Sequence, residues 1–97
     1  MSDFSVVLAP QAETDIAAAF EWYREQSATA ADAFRIEALD AIDRLADAPT
    51  QWRMDEDGTR RRVLRHFPYS VVFEVLDNTV TILAVAHDRR QPGYWRE

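Results

Sequence analysis

The 97-residue chain contains no cysteine, no lysine and only two histidines. Without cysteine there is neither a disulfide framework nor a thiolate nucleophile, and two histidines far apart in sequence make a poor zinc site. No apolar run approaches the roughly 20 residues that a membrane helix requires. The N-terminus lacks a basic segment followed by an apolar one, so a secretory signal is not expected and the cytoplasm is the default compartment. Repeats and low-complexity tracts are also missing. The one acidic run, Asp55-Glu56-Asp57, suits a solvated loop better than a cation site, and no cofactor is expected. What remains, 47% apolar and 29% charged residues, fits one globular domain over residues 1–97.

Positive charge is scarce and unevenly placed. The net charge is −6; residues 1–50 carry ten acids and three arginines, and residues 51–97 carry seven acids and eight arginines, so the halves stand at −7 and +1. Four of the eleven cations fall between Arg60 and Arg65, in the run Arg60-Arg61-Arg62-Val63-Leu64-Arg65-His66-Phe67-Pro68-Tyr69. Arginine offers a planar donor fork suited to carboxylates, phosphates and aromatic faces, although a genomic preference for arginine codons accounts for the missing lysines equally well. A local cationic run on an acidic protein points to a recognition surface rather than to indiscriminate polyanion binding.

The periodicities set out a succession of elements. Phe4–Leu8 has the composition of a short strand, and Ala9-Pro10 ends it while offering a helix start. From Gln11 to Gln26, Ala12, Ile16, Ala19, Phe20 and Tyr23 recur at three- and four-residue spacing, with Trp22 beside the stripe and Glu13 and Asp15 near the positive end. Ser27-Ala28-Thr29 breaks the pattern. Thr29 with Asp32 resembles a capping pair for a second helix through Phe34, Ala38, Ala41, Ile42 and Leu45, which Ala48-Pro49 closes. The short linker predicts an antiparallel hairpin. Residues 50–59 form a polar loop. In the segment that follows, a strand would send Arg61, Val63, Arg65 and Phe67 to one face and Arg62, Leu64 and His66 to the other. Pro68-Tyr69 marks a turn, Ser70–Leu76 and Thr79–Ala86 are strands, and Asp77-Asn78 is a tight turn between them. The expected fold is α+β in two layers: an N-terminal strand, a helical hairpin, then a three-stranded antiparallel sheet with the hairpin on one face.

This pattern resembles the ParE/RelE superfamily, the small toxins of type II toxin–antitoxin modules also described as plasmid stabilisation proteins, and the ParE branch in particular. The resemblance spans nearly the whole chain. It rests on Ala12, Asp15, Ile16 and Trp22-Tyr23, on Gly58 with Arg60-Arg61, on Phe67-Pro68-Tyr69, and above all on the ending Ile82-Leu83-Ala84-Val85-Ala86-His87-Asp88-Arg89-Arg90-Gln91-Pro92-Gly93-Tyr94-Trp95. It implies a cytoplasmic toxin in a hetero-oligomer with an antitoxin encoded by an adjacent gene. ParE-like members are described as inhibitors of DNA gyrase, whereas RelE-like members cleave messenger RNA in the ribosomal A site. The resemblance therefore leaves three functions in competition: a toxin acting by binding, a ribosome-dependent endoribonuclease, and a non-toxic complex-forming relative.

Residue chemistry weighs these against one another. The nuclease branch places an arginine just after the central turn, and the matching position here is Ser70, which cannot supply its charge. RNA cleavage also needs a proton acceptor, a proton donor and cations facing the phosphate. The candidates for such a role are His66, Arg65, His87, Arg90 and Tyr94, and among the proton-handling groups His66, His87 and Tyr94 no pair has the short spacing that implies cooperation. Each has a plain structural alternative: His66 as a solvent-facing strand residue, His87 bonding locally beside Asp88, Tyr94 and Trp95 covering the sheet edge. A net charge of −6 disfavours work among dense phosphates, so direct nucleic-acid binding is not expected. The preferred assignment puts Arg61, Arg62, Arg65, Phe67 and Tyr69, with Arg89, Arg90, Tyr94 and Trp95, at an antitoxin- or target-binding surface. Its alternative is a solvated strand face whose arginine stems cover apolar area.

Overall fold

The computed structural model describes residues 4–90 and 93–96, so Gln91 and Pro92 of the C-terminal signature lie outside the described residues. Strand β1 (Ser5–Leu8) leads into helices α1 (Pro10–Gln26) and α2 (Ala28–Arg44), and strands β2 (Arg60–Val63), β3 (Tyr69–Leu76) and β4 (Thr79–His87) follow. Pro10 opens α1 where its missing N–H is no loss. A single residue, Ser27, joins the helices. In extended conformation it donates its N–H to the Tyr23 carbonyl and accepts the Ala30 N–H on its hydroxyl at 3.2 Å. The cap expected at Thr29 is therefore made by Ser27, because the bend needs only one non-helical residue and Thr29 already lies inside α2.

The sheet has four strands in the order β1-β4-β3-β2. β2, β3 and β4 pair antiparallel as the sequence suggests, but the N-terminal strand also joins the sheet, lying parallel to β4 with Ser5 opposite Thr79 and Leu8 opposite Ile82. The sheet is thus mixed. Phe34, Leu45, Phe73 and Ile82 are fully buried between hairpin and sheet, and Tyr23, Phe67 and Tyr69 pack their rings around Phe34.

One irregularity shapes the other face. Phe73 pairs with Ile82 while Val72 pairs with Ala84, so Leu83 is an extra residue in β4. A bulge shifts the alternation by one. Val80, Ile82 and Val85 therefore face the hairpin, whereas Ala84 and Ala86 join Val72 in a second small cluster on the far face, covered by Tyr94 and Trp95 of the C-terminal turn.

Candidate functional site

β2 is shorter than its alternating sequence suggests: it ends at Val63, and residues 64–68 form a bend. Phe67 therefore leaves the side of the sheet it would share with Arg61, and its ring stacks edge-on against Tyr23 and Phe34 in the core. Tyr69, half-buried, belongs to the same cluster. The helix α2 side chain Glu37 holds the bend in place. Its carboxylate accepts the backbone N–H groups of Arg65 and His66 and lies 2.7 Å from His66 Nδ1. Burial, the largest single influence, pushes the Glu37 carboxyl up. The ring and backbone hydrogen bonds from His66 and Arg65 together outweigh it, and the net shift is downward.

The four clustered arginines divide by face. Arg60 and Arg62 stand opposite Phe73 and Val71, toward the hairpin. Arg60 donates to the carbonyls of Thr50 and Trp52, and Arg62 donates to the Ala41 carbonyl at 3.1 Å with its guanidinium over the Trp52 ring. Arg60 ties the loop to the sheet, and Arg62 ties the end of α2 to it. Arg61 stands opposite Val72 on the far face. Arg61 and Arg65 are exposed, and among the described residues no side-chain hydrogen bond or ion pair engages either guanidinium.

Beside the bend, where β3 begins and β4 ends, the chain is held by a dense set of polar contacts. Ser70 is fully buried, donates its hydroxyl to Asp88 at 3.1 Å, and lies next to Tyr69, whose neighbour Pro68 accepts the Asp88 N–H. His87 accepts the Arg89 N–H on Nδ1 and the Arg90 N–H on its carbonyl. Arg90 lies 3.9 Å over the Tyr94 ring, and Tyr94 donates its hydroxyl to Asp15 at 2.6 Å. Burial pushes the Tyr94 phenol well above its ordinary value, and the Asp15 hydrogen bond and charge add to the rise, so it stays protonated. Trp95 covers Ala84 and Ala86, and Arg96 reaches Asp57 at 2.8 Å. Exposed Arg89 stands beside this cluster.

The structure therefore brings His87, Arg90 and Tyr94 to one cleft, with Tyr69, and leaves Arg65 and His66 on the bend held by Glu37. Among the described residues no hydrogen bond links any two of His66, His87 and Tyr94. No group of three or more His, Asp or Glu side chains there is placed to hold a metal. The sequence gives Asp15 a helix-end role and a place in the family resemblance, but no partners. It is 8% exposed and accepts from Gln11, the Val85 N–H and Tyr94. Its signal was its spacing: Ala12, Asp15 and Ala19 fall on one helical stripe, and an acid on a buried stripe demands partners.

Comparison with known proteins follows the same lines. A chain from the chromosomal ParDE TA system from P. aeruginosa superimposes with a TM-score of 0.79 at 20% identity, covering 88% of this chain and 96% of that one. No curated protein matches. The family model for the ParE toxin of the type II toxin–antitoxin system, parDE, matches residues 6–92, and the chain belongs to this family.

Proposed function

We propose that the chain is neutralised by a cognate antitoxin lying against its exposed arginines, and that when released it inhibits growth by binding DNA gyrase. It is the toxin component of a ParE-type toxin–antitoxin system, and ParE-type toxins act as non-catalytic protein inhibitors rather than nucleases. The observation that carries the preference for binding over RNA cleavage is Ser70. At the position where the nuclease branch places a cation, this chain has a fully buried hydroxyl committed to Asp88. A long cationic side chain does not fit this fully buried, serine-sized place without disturbing the packing around it.

Three further points support the reading. Tyr94 is bonded to Asp15, His66 to Glu37, and the Arg89 N–H occupies His87 Nδ1, so the candidate proton carriers hold structural partners instead of one another. Arg61 and Arg65 keep their donors available for carboxylates or carbonyls of a partner. β1 and β2 are the edges of the sheet, and an extended antitoxin segment could add to one of them. The test is parallel assay of the antitoxin-free protein for inhibition of gyrase supercoiling and for ribosome-dependent cleavage of a defined message. Inhibited supercoiling with intact message is expected; cleavage with normal supercoiling would reverse the assignment.

A further inference from the structure

The cleft between the middle of α1 and the C-terminal end of the sheet has a volume of about 460 Å³ and is lined by Trp22, Tyr23, Tyr69, His87, Arg90 and Tyr94. This size is that of a ligand pocket, and the wall is largely aromatic. Trp22 meets Tyr23 edge-on yet is 56% exposed, an uncommon placement for an indole that no other packing requires. The cleft contains one acid, Asp15, and both of its oxygens are engaged: Oδ1 by Gln11, Oδ2 by the Val85 N–H and the Tyr94 hydroxyl. The charged group that the cleft still offers to a guest is therefore a cationic donor. Arg90 brings a guanidinium, and because His87 Nδ1 accepts the Arg89 N–H, the ring's donor is its Nε2–H.

Complementarity selects the guest. A cation is disfavoured, since the Arg90 guanidinium already lies over the Tyr94 ring and each Asp15 oxygen already accepts a hydrogen bond. A polyanion is disfavoured by the net charge of −6. A single carboxylate beside an aromatic or large aliphatic side chain satisfies both the donors and the rings. We propose that this cleft is an anchor pocket for a protein partner: it takes one aromatic or large aliphatic side chain against Trp22 and pairs a carboxylate of the same segment with Arg90. The proposal rests on the reading of the chain as a protein-binding toxin and adds the chemistry of the segment bound.

The isolated full-length chain, labelled with ¹⁵N, tests it by titration with N-acetyl-Phe-Asp-amide, its Phe-Asn counterpart, and thymidine 5′-monophosphate. The Asp peptide is expected to shift the Trp22 side-chain and Val85 backbone amide signals saturably and to bind at least about fivefold tighter than the Asn peptide. Arg90→Gln removes that preference. Ala18→Trp, at an exposed position lining the cleft, closes it and abolishes the shifts; Trp22→Ala, also at an exposed position, weakens binding at least about fivefold. Each variant is checked for a native spectrum elsewhere. Four results would each overturn the proposal: no saturable shift with either peptide, equal affinity for the two, undiminished binding in both folded cleft variants, or tighter binding of the nucleotide. Gyrase inhibition and antitoxin binding are measured separately, so failure of the pocket leaves the toxin reading standing.

Discussion

Asp15 and Asp57 show how differently two carboxylates can serve one fold. Asp15, buried on α1, satisfies the Val85 N–H just past Ile82, where the β1 pairing ends, and receives the Tyr94 hydroxyl from the C-terminal turn. Removing the acceptor strands a buried backbone donor, so Asp15→Ala should cost about 2–3 kcal/mol in urea denaturation, and Tyr94→Phe about 1 kcal/mol. A cost below about 0.5 kcal/mol for Asp15→Ala would remove it from the structural account. Asp57 instead sits in an exposed loop, where the hydroxyl and N–H of Thr59, followed by Arg96, lower its carboxyl to about 2. A folded value below the unfolded one means that its stabilisation is present above about pH 4 and is lost as pH falls toward 2. Thermal melts should show wild type losing more stability than Asp57→Asn between pH 4 and pH 2. Because the side chain is 44% exposed, the difference will be small and will shrink in high salt. Parallel curves for the two proteins would contradict it.

At the scale of elements, the bend after β2 separates residues that the sequence alone ranked together. Phe67→Ala empties a place in the aromatic cluster and should cost about 3 kcal/mol, whereas Arg65→Ala, two residues away and exposed, should stay within about 0.5 kcal/mol. Glu37→Ala should raise amide hydrogen exchange at Arg65 and His66 by more than tenfold without changing the amides of β3; uniform exchange rates would show that α2 does not hold the bend. The helices, the Asp77-Asn78 turn and the β3–β4 pair were legible because three- and four-residue spacing and a two-residue turn are local signals. The partner of β1 was not, since four residues show a strand but not the chain some seventy positions later that it joins. Nor was the bulge at Leu83: the run from Ile82 to Ala86 is apolar throughout, so no alternation marks where the faces exchange. For the site, the cationic run was visible in the sequence. Its division into Arg60 and Arg62, tied to carbonyls of residues 41, 50 and 52, and the untied Arg61 and Arg65 depends on tertiary approach.

For the whole molecule, the question is how a protein of charge −6 can use arginine to recognise anything. The acids of residues 1–50 are carried mainly by the helical hairpin, whereas Arg61 stands on the far face of the sheet and Arg65 on the bend at its edge. The molecule is 22 Å across its thinnest dimension. At physiological salt the screening length is about 8 Å, so a partner on the far face meets Arg61 with little influence from the helices behind it, whereas Arg65 stands beside Glu37 of α2 and within its field. At about 0.01 M salt that length is roughly 30 Å, and the acidic layer is felt through the whole body. Two exposed charge contacts contribute about 0.2–1 kcal/mol each, so Arg61→Ala with Arg65→Ala should weaken antitoxin binding by about 2- to 30-fold at 0.15 M salt. The salt dependence of the remaining affinity should flatten, and the melting temperature should hold. Calorimetric titration over a range of salt concentrations checks each part. An unchanged affinity at 0.15 M would move the antitoxin off this surface, and a loss that grew as salt rose would mean that the two arginines act by packing rather than by charge.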